Sequence, residues 1–142
     1  ANAMPSFAQF YTQGDAIRAL ESGKVAVLGC GTGNPFFSTD TGAVLRAVEI
    51  QADVVLMAKN IDGVYTADPR KDPTAKKLES TSYDYILSHH LGVIDMTAAS
   101  LAMDNDLPLY LFGLDDPENI YQVIKGEKLG TIVKNEVKET AK

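Results

Sequence analysis

The chain has 142 residues, 45% hydrophobic and 23% charged, the proportions of one globular domain. Eleven Gly and six Pro exclude collagen and low-complexity disorder, and a single cysteine, Cys30, excludes a disulfide framework or a Cys-cluster zinc site. Thirteen Lys and Arg against nineteen Asp and Glu leave a net charge of −6, which argues against nonspecific nucleic-acid binding but allows a phosphate site built from backbone N–H groups.

In chain order, residues 15–22 predict a helix from the spacing of Ala16, Ile17, Ala19 and Leu20, with Gly23 as its stop. Residues 24–29 are almost wholly apolar and predict a central parallel strand covered on both faces. A glycine-rich loop, 29–40, then leads into a helix at 41–51 that carries Ala43, Val44, Ala47, Val48 and Ile50. Residues 53–58 predict a second buried strand. Residues 62–77 are rich in Asp, Pro and Gly, and the two Asp-Pro steps predict a loop. Helices follow at 82–89 and at 95–105, the latter capped by Asp95 or Thr97. A strand at 107–112, a helix at 117–125 and a strand at 129–134 complete the pattern, and a charged, frayed tail is expected after 135. Strand and helix alternate, so the expectation is one α/β layered domain with a mostly parallel sheet.

Two loops stand out. The first is Gly29-Cys30-Gly31-Thr32-Gly33-Asn34-Pro35-Phe36-Phe37-Ser38-Thr39-Asp40. It follows a predicted strand and opens a helix, where ligands sit in open parallel sheets. Its glycines let backbone approach a ligand, and Ser38, Thr39 and Asp40 stand where free N–H groups and the helix dipole favour an anion. It lacks the Lys-Ser or Lys-Thr of a Walker loop, and Asn34 replaces the last Gly of the dinucleotide motif. The alternative is a glycine-rich turn with an N-cap. Phe36 and Phe37 tilt the reading toward a site that flanks a planar ring.

The second loop leaves the next strand: Lys59-Asn60-Ile61-Asp62-Gly63-Val64-Tyr65-Thr66-Ala67-Asp68-Pro69. Tyr65 offers a ring to stack, and Asp68 a carboxylate for ribose hydroxyls or an amine. The alternative is a surface turn with a capping Asp. Adjacent His89 and His90 read as helix-end residues, Cys30 as a small buried thiol, and Asp104, Asp106, Asp115, Asp116 and Glu118 as a solvated acidic surface.

Taken together, the stretches 31–40 and 61–73, in this order and separation, resemble bacterial uridylate kinases (UMP kinases) of the amino acid kinase superfamily. The likeness continues through 93–99, 104–109 and 126–131, and covers about 4–133. The resemblance implies a three-layer αβα sandwich and the reaction ATP + UMP ⇌ ADP + UDP in pyrimidine nucleotide synthesis. It implies magnesium held through the phosphates, a homohexamer, GTP activation and UTP inhibition. With no apolar run of membrane-spanning length and no secretory pattern, a cytoplasmic chain that does not engage a membrane is expected by default. Carried over by motif, Thr32, Gly33, Asn34, Pro35, Phe36, Phe37, Ser38 and Thr39 correspond to the UMP-binding stretch. Asp40 corresponds to the acidic residue beside the reacting phosphates, and Tyr65 and Asp68 to adenine and ribose contacts. Where many relatives have Ala-Thr-Lys or Ala-Thr-Asn, this chain has Ala58-Lys59-Asn60, so Lys59 or Asn60 takes the ATP contact. The family's Lys-x-Ser-Gly-Glu and Gly-Gly-Gly-Asn motifs are not in these 142 residues. The expectation is therefore a C-terminal, ATP-lobe portion of the fold, without the N-terminal phosphate-binding part and inactive or nearly so alone. Two other readings stand beside it: a noncatalytic nucleotide-binding or regulatory module, and a superfamily kinase acting on an acyl or carbamoyl group.

Overall fold

The computed structural model describes residues 6–136 and 140–141. The elements run α1 (Gln13–Glu21), α2 (Thr39–Glu49), β1 (Val55–Lys59), β2 (Leu78–Ser82), α3 (Tyr83–Ser88), α4 (Met96–Asp104), β3 (Leu109–Gly113), α5 (Glu118–Ile124), β4 (Thr131–Lys134) and β5 (Thr140–Ala141). The strands form one sheet in the order β1-β3-β4-β2-β5. Pairs β1–β3 and β2–β4 are parallel, whereas β3–β4 and β2–β5 are antiparallel. The α/β class holds, in a mixed sheet.

The helices start where local chemistry places them. Thr12, Ser38, Ser82 and Asp95 each cap a helix by accepting a backbone N–H three residues on. Asp95, not Thr97, caps α4. Pro117 stands at the start of α5, where its missing N–H costs nothing.

Register explains the core. Val55 pairs with Leu109 and Met57 with Leu111, and Leu109 pairs in turn with Val133. Side chains alternate along a strand, so Met57, Leu109, Leu111 and Val133 share one face. That face packs against Val44 and Ala47 of α2, Ile86 of α3 and Ala98, Ala99 and Ala102 of α4, all buried. The small residues of α4 let α2 approach closely. Burying each large side chain here contributes roughly 1.5–3 kcal/mol. Tyr83, fully buried, donates its hydroxyl to the Leu107 carbonyl, so the phenol enters the core with its polar tip satisfied. Thr81 lies on the same face, with a buried hydroxyl that has no partner among the described residues.

Two expectations are corrected, and one strand is added. Residues 24–29 form no strand among the described residues, and Val25 and Val27 are 92% and 93% exposed. Their apolar pattern is that of a covered strand, but no described strand pairs with them. The 62–77 loop holds, closed by a bridge between Tyr65 and Lys77, but the strand β2 that follows from Leu78 was not expected. A strand of Leu-Glu-Ser-Thr-Ser has too few apolar residues to announce itself. The tail after 135 is only partly described, because 137–139 and 142 lie outside the described residues. Residues 140–141 pair with β2 rather than fraying.

Candidate functional site

The first loop is seated by close backbone approach to α2. A Cβ on Gly42 would lie 3.0 Å from the Gly31 Cα and 3.3 Å from the Thr32 nitrogen, so the loop rests on the helix where a side chain would stand. Cys30, Gly31, Gly33 and Phe36 all have positive φ. Glycine adopts that region freely, while Cys30 and Phe36 adopt it at a cost. Arg46 reaches back from the last turn of α2 to the Gly31 carbonyl at 3.4 Å and to Glu49 at 2.6 Å. Within the loop the Thr32 hydroxyl accepts the Asn34 N–H at 3.1 Å.

Ser38 caps α2 and also donates its hydroxyl to Asp95. The Thr41 hydroxyl lies 3.1 Å from the same carboxylate, which accepts the Ala98 N–H at 2.9 Å. One carboxylate thus ties together the starts of α2 and α4. Burial alone would raise the Asp95 pKa, but donation from Ser38, Ala98, Thr41 and Thr97 outweighs it and holds the carboxyl below its usual range.

Asp40 follows in the first turn of α2. Its Oδ2 accepts from the Lys59 Nζ at 2.5 Å, and both side chains are largely shielded from solvent. Lys59 is the last residue of β1, so this contact brings the two loops to one place, the carboxyl end of β1. β3 runs parallel to β1 and ends at Gly113, opposite Lys59. A cavity of about 460 Å³ opens beside the pair, walled by Ile86, His90, Gly92, Ile94 and Asp95.

In the second loop the Tyr65 hydroxyl donates to Asp62 at 2.9 Å. Lys77 donates to the other Asp62 oxygen and to the Leu129 carbonyl, each at 2.8 Å. Burial would raise the Asp62 pKa, but Lys77 and Tyr65 together bring it below the ordinary value. Burial and the Asp62 carboxylate push the Tyr65 phenol up. Asp68 serves its own turn, accepting the Arg70 N–H at 3.0 Å, and this bond holds its carboxyl low.

The structure thus joins Asp40 and Lys59 directly and secures Ser38 through Asp95. It does not bring Phe36 or Phe37 against anything planar, since Phe36 is 105% exposed and Phe37 is exposed too. Pro35, Thr39 and Asn60 are likewise exposed. Cys30 is exposed, not buried. Sequence reasoning missed the linking role of Asp95 and the whole of Lys77. Asp95 was visible only as a cap, and Lys77 only as the second of two lysines ending a polar loop. Among the described residues no cluster of three or more His, Cys, Asp or Glu could hold a metal ion. Asp40 is already engaged by Lys59, so a magnesium ion at this site would depend mainly on phosphate oxygens.

Residues 10–113 match the model of the amino acid kinase family. The chain is 48% identical over 132 residues to a uridylate kinase from Porphyromonas gingivalis and 47% to one from Phocaeicola vulgatus. Those alignments cover 93% of this chain and 55% and 56% of the relatives, so the chain spans about half their length. Among solved structures, a UMP kinase from Bacillus anthracis superposes over 97% of this chain and 57% of its own, with a TM-score of 0.91 at 32% identity. One from Ureaplasma parvum covers 94% and 57%, with a TM-score of 0.87 at 32% identity. The family match covers most of the chain and both loops, and the chain belongs to the amino acid kinase family.

Proposed function

We infer that this chain is the nucleotide-binding portion of a UMP kinase, which transfers a phosphoryl group from ATP to UMP and yields ADP and UDP. The observation that carries the reading is the Asp40–Lys59 pair at the carboxyl end of β1, where two loops of contrasting chemistry converge beside a cavity. The uridylate kinases and UMP kinase structures it resembles support the choice of acceptor.

In this reading residues 32–39 hold UMP. Backbone amides of the loop and the start of α2 face its phosphate, and exposed Phe36 and Phe37 close over the pyrimidine. The second loop holds ATP, with the Tyr65 ring against the adenine and Asp68 toward the ribose. Lys59, rather than Asn60, is the basic group aimed at the phosphates, because Asp40 holds its ammonium beside the cavity. Magnesium, when bound with ATP, neutralises charge on the transferring group. Phosphoryl transfer is mostly positioning and electrostatic stabilisation, so the chain's own contribution is a fixed cation and a rigid anion cradle. The reading carries with it pyrimidine nucleotide synthesis, a cytoplasmic homohexamer and GTP and UTP as effectors.

Separate calorimetric titrations of UMP, aspartate and glutamate test the acceptor. Heat on adding UMP and none with either amino acid is the expected result. The reverse rejects a UMP kinase in favour of another branch of the family. A coupled assay for ADP release on these 142 residues alone is expected to show almost no turnover, since they hold neither the Lys-x-Ser-Gly-Glu nor the Gly-Gly-Gly-Asn motif.

A further inference from the structure

Lys77 lies outside both loops as the sequence defines them by function, yet the second loop is built on it. Its side chain is only 21% exposed, and the ammonium spends two of its three donors on Asp62 Oδ2 and the Leu129 carbonyl. The other Asp62 oxygen holds the Tyr65 hydroxyl. Asp62 itself is half-exposed, and the lysine and Tyr65 are its two side-chain partners. The floor beneath is hydrogen-bonded to the loop. The Thr131 hydroxyl accepts the Val64 N–H at 2.9 Å and donates to the Leu78 carbonyl at 2.5 Å. A Cβ on Gly63 would lie 2.7 Å from that hydroxyl oxygen and 2.8 Å from the Lys77 Cε, so the loop is pressed against both.

We propose that Lys77 is a positioning residue for nucleotide binding. Through Asp62 it fixes the Tyr65 ring, and through Leu129 it couples that ring to the turn before β4. With its hydroxyl committed to Asp62, Tyr65 presents a ring face and no free donor, so it contributes stacking to a purine rather than hydrogen-bond selection among purines. The proposal rests on the nucleotide reading of the second loop for its ligand, but the clamp itself does not.

The test uses K77M, D62N, Y65F and the double variant K77M/Y65F of the 142-residue chain, with NMR of the tyrosine rings and calorimetric titration of MgATP and UMP. The Tyr65 ring signals, assigned from Y65F, are expected to move alike in K77M and D62N while Tyr11, Tyr83, Tyr85 and Tyr121 stay in place. MgATP affinity is expected to fall roughly fivefold to tenfold in K77M, but less than about twofold when K77M is added to Y65F, with UMP affinity unchanged throughout. A general loosening of the loop would weaken MgATP equally in both backgrounds, which overturns the proposal. Tyr65 signals unmoved in K77M and D62N overturn it as well. Should K77M fail to fold, D62N and D62N/Y65F, which keep the shape of the carboxylate, carry both readings. Should the wild-type chain bind no MgATP while the ring signals move, the clamp stands and the nucleotide reading of this loop is rejected.

Discussion

Asp40 does two things in one helical turn: its charge suits the start of α2, and its carboxylate holds the Lys59 ammonium. The first was readable locally. The second spans nineteen residues and depends on how α2 packs on β1. In a chain of the relatives' length that turns over UMP, Asp40→Asn is expected to lower kcat by roughly a hundredfold with unchanged thermal unfolding. A kcat within a few fold of wild type would reduce Asp40 to a helix-start residue. Thr81 presents the opposite case, a buried hydroxyl with no partner among the described residues. Thr81→Val replaces it at nearly equal volume, so stability is expected to hold or rise by about 1 kcal/mol in urea unfolding. A loss of more than 1 kcal/mol would mean that the hydroxyl is satisfied. The Ser38 cap was legible because N-cap chemistry is local. Lys77 was not, because a lysine in a polar loop has the same appearance whether solvated or clamped.

Helices were easier to read than strands. Caps, apolar spacing and stop residues placed α1, α2 and α4 within a few residues, since those signals lie within the helix itself. Strands 53–58 and 107–112 announced themselves by apolar runs, whereas β2 did not, because Glu79, Ser80 and Ser82 interrupt its pattern. The Asp95 link belongs to this scale. It reaches 57 residues back to Ser38, and only the packing of α2 on α4 creates it. Asp95→Ala removes a cap and leaves Ser38 and Thr41 without their acceptor, an expected loss of about 1–3 kcal/mol in denaturant unfolding. Loss below 0.3 kcal/mol would show that water replaces it. The folded carboxyl titrates below its ordinary value, so its contribution is fully present above the unfolded value of 3.8 and fades as pH falls through the lower folded one. Stability of the wild type should therefore decline more steeply with acidification in that window than that of Asp95→Ala.

For the molecule as a whole, one face of the sheet is well covered, while residues 24–29 present Val25 and Val27 to solvent. Unpaired apolar backbone of this kind favours association. Val25→Ser with Val27→Ser is expected to lower concentration-dependent association in sedimentation velocity while changing stability by less than about 0.5 kcal/mol. Unchanged association would place the contact surface elsewhere. That segment also shows where reading from sequence stops: its pattern specifies a covered strand, but the cover is a tertiary fact. The whole account depends on two loops meeting at the carboxyl end of β1 to make one nucleotide cleft. Amide NMR of the 142-residue chain, titrated first with UMP and then with MgATP, measures this most directly. Shifts at residues 32–39 with UMP, at 59–68 with MgATP, and at Asp40 and Lys59 with both are expected. Shifts for both ligands confined to residues remote from Asp40 and Lys59, or none at either loop, would contradict it.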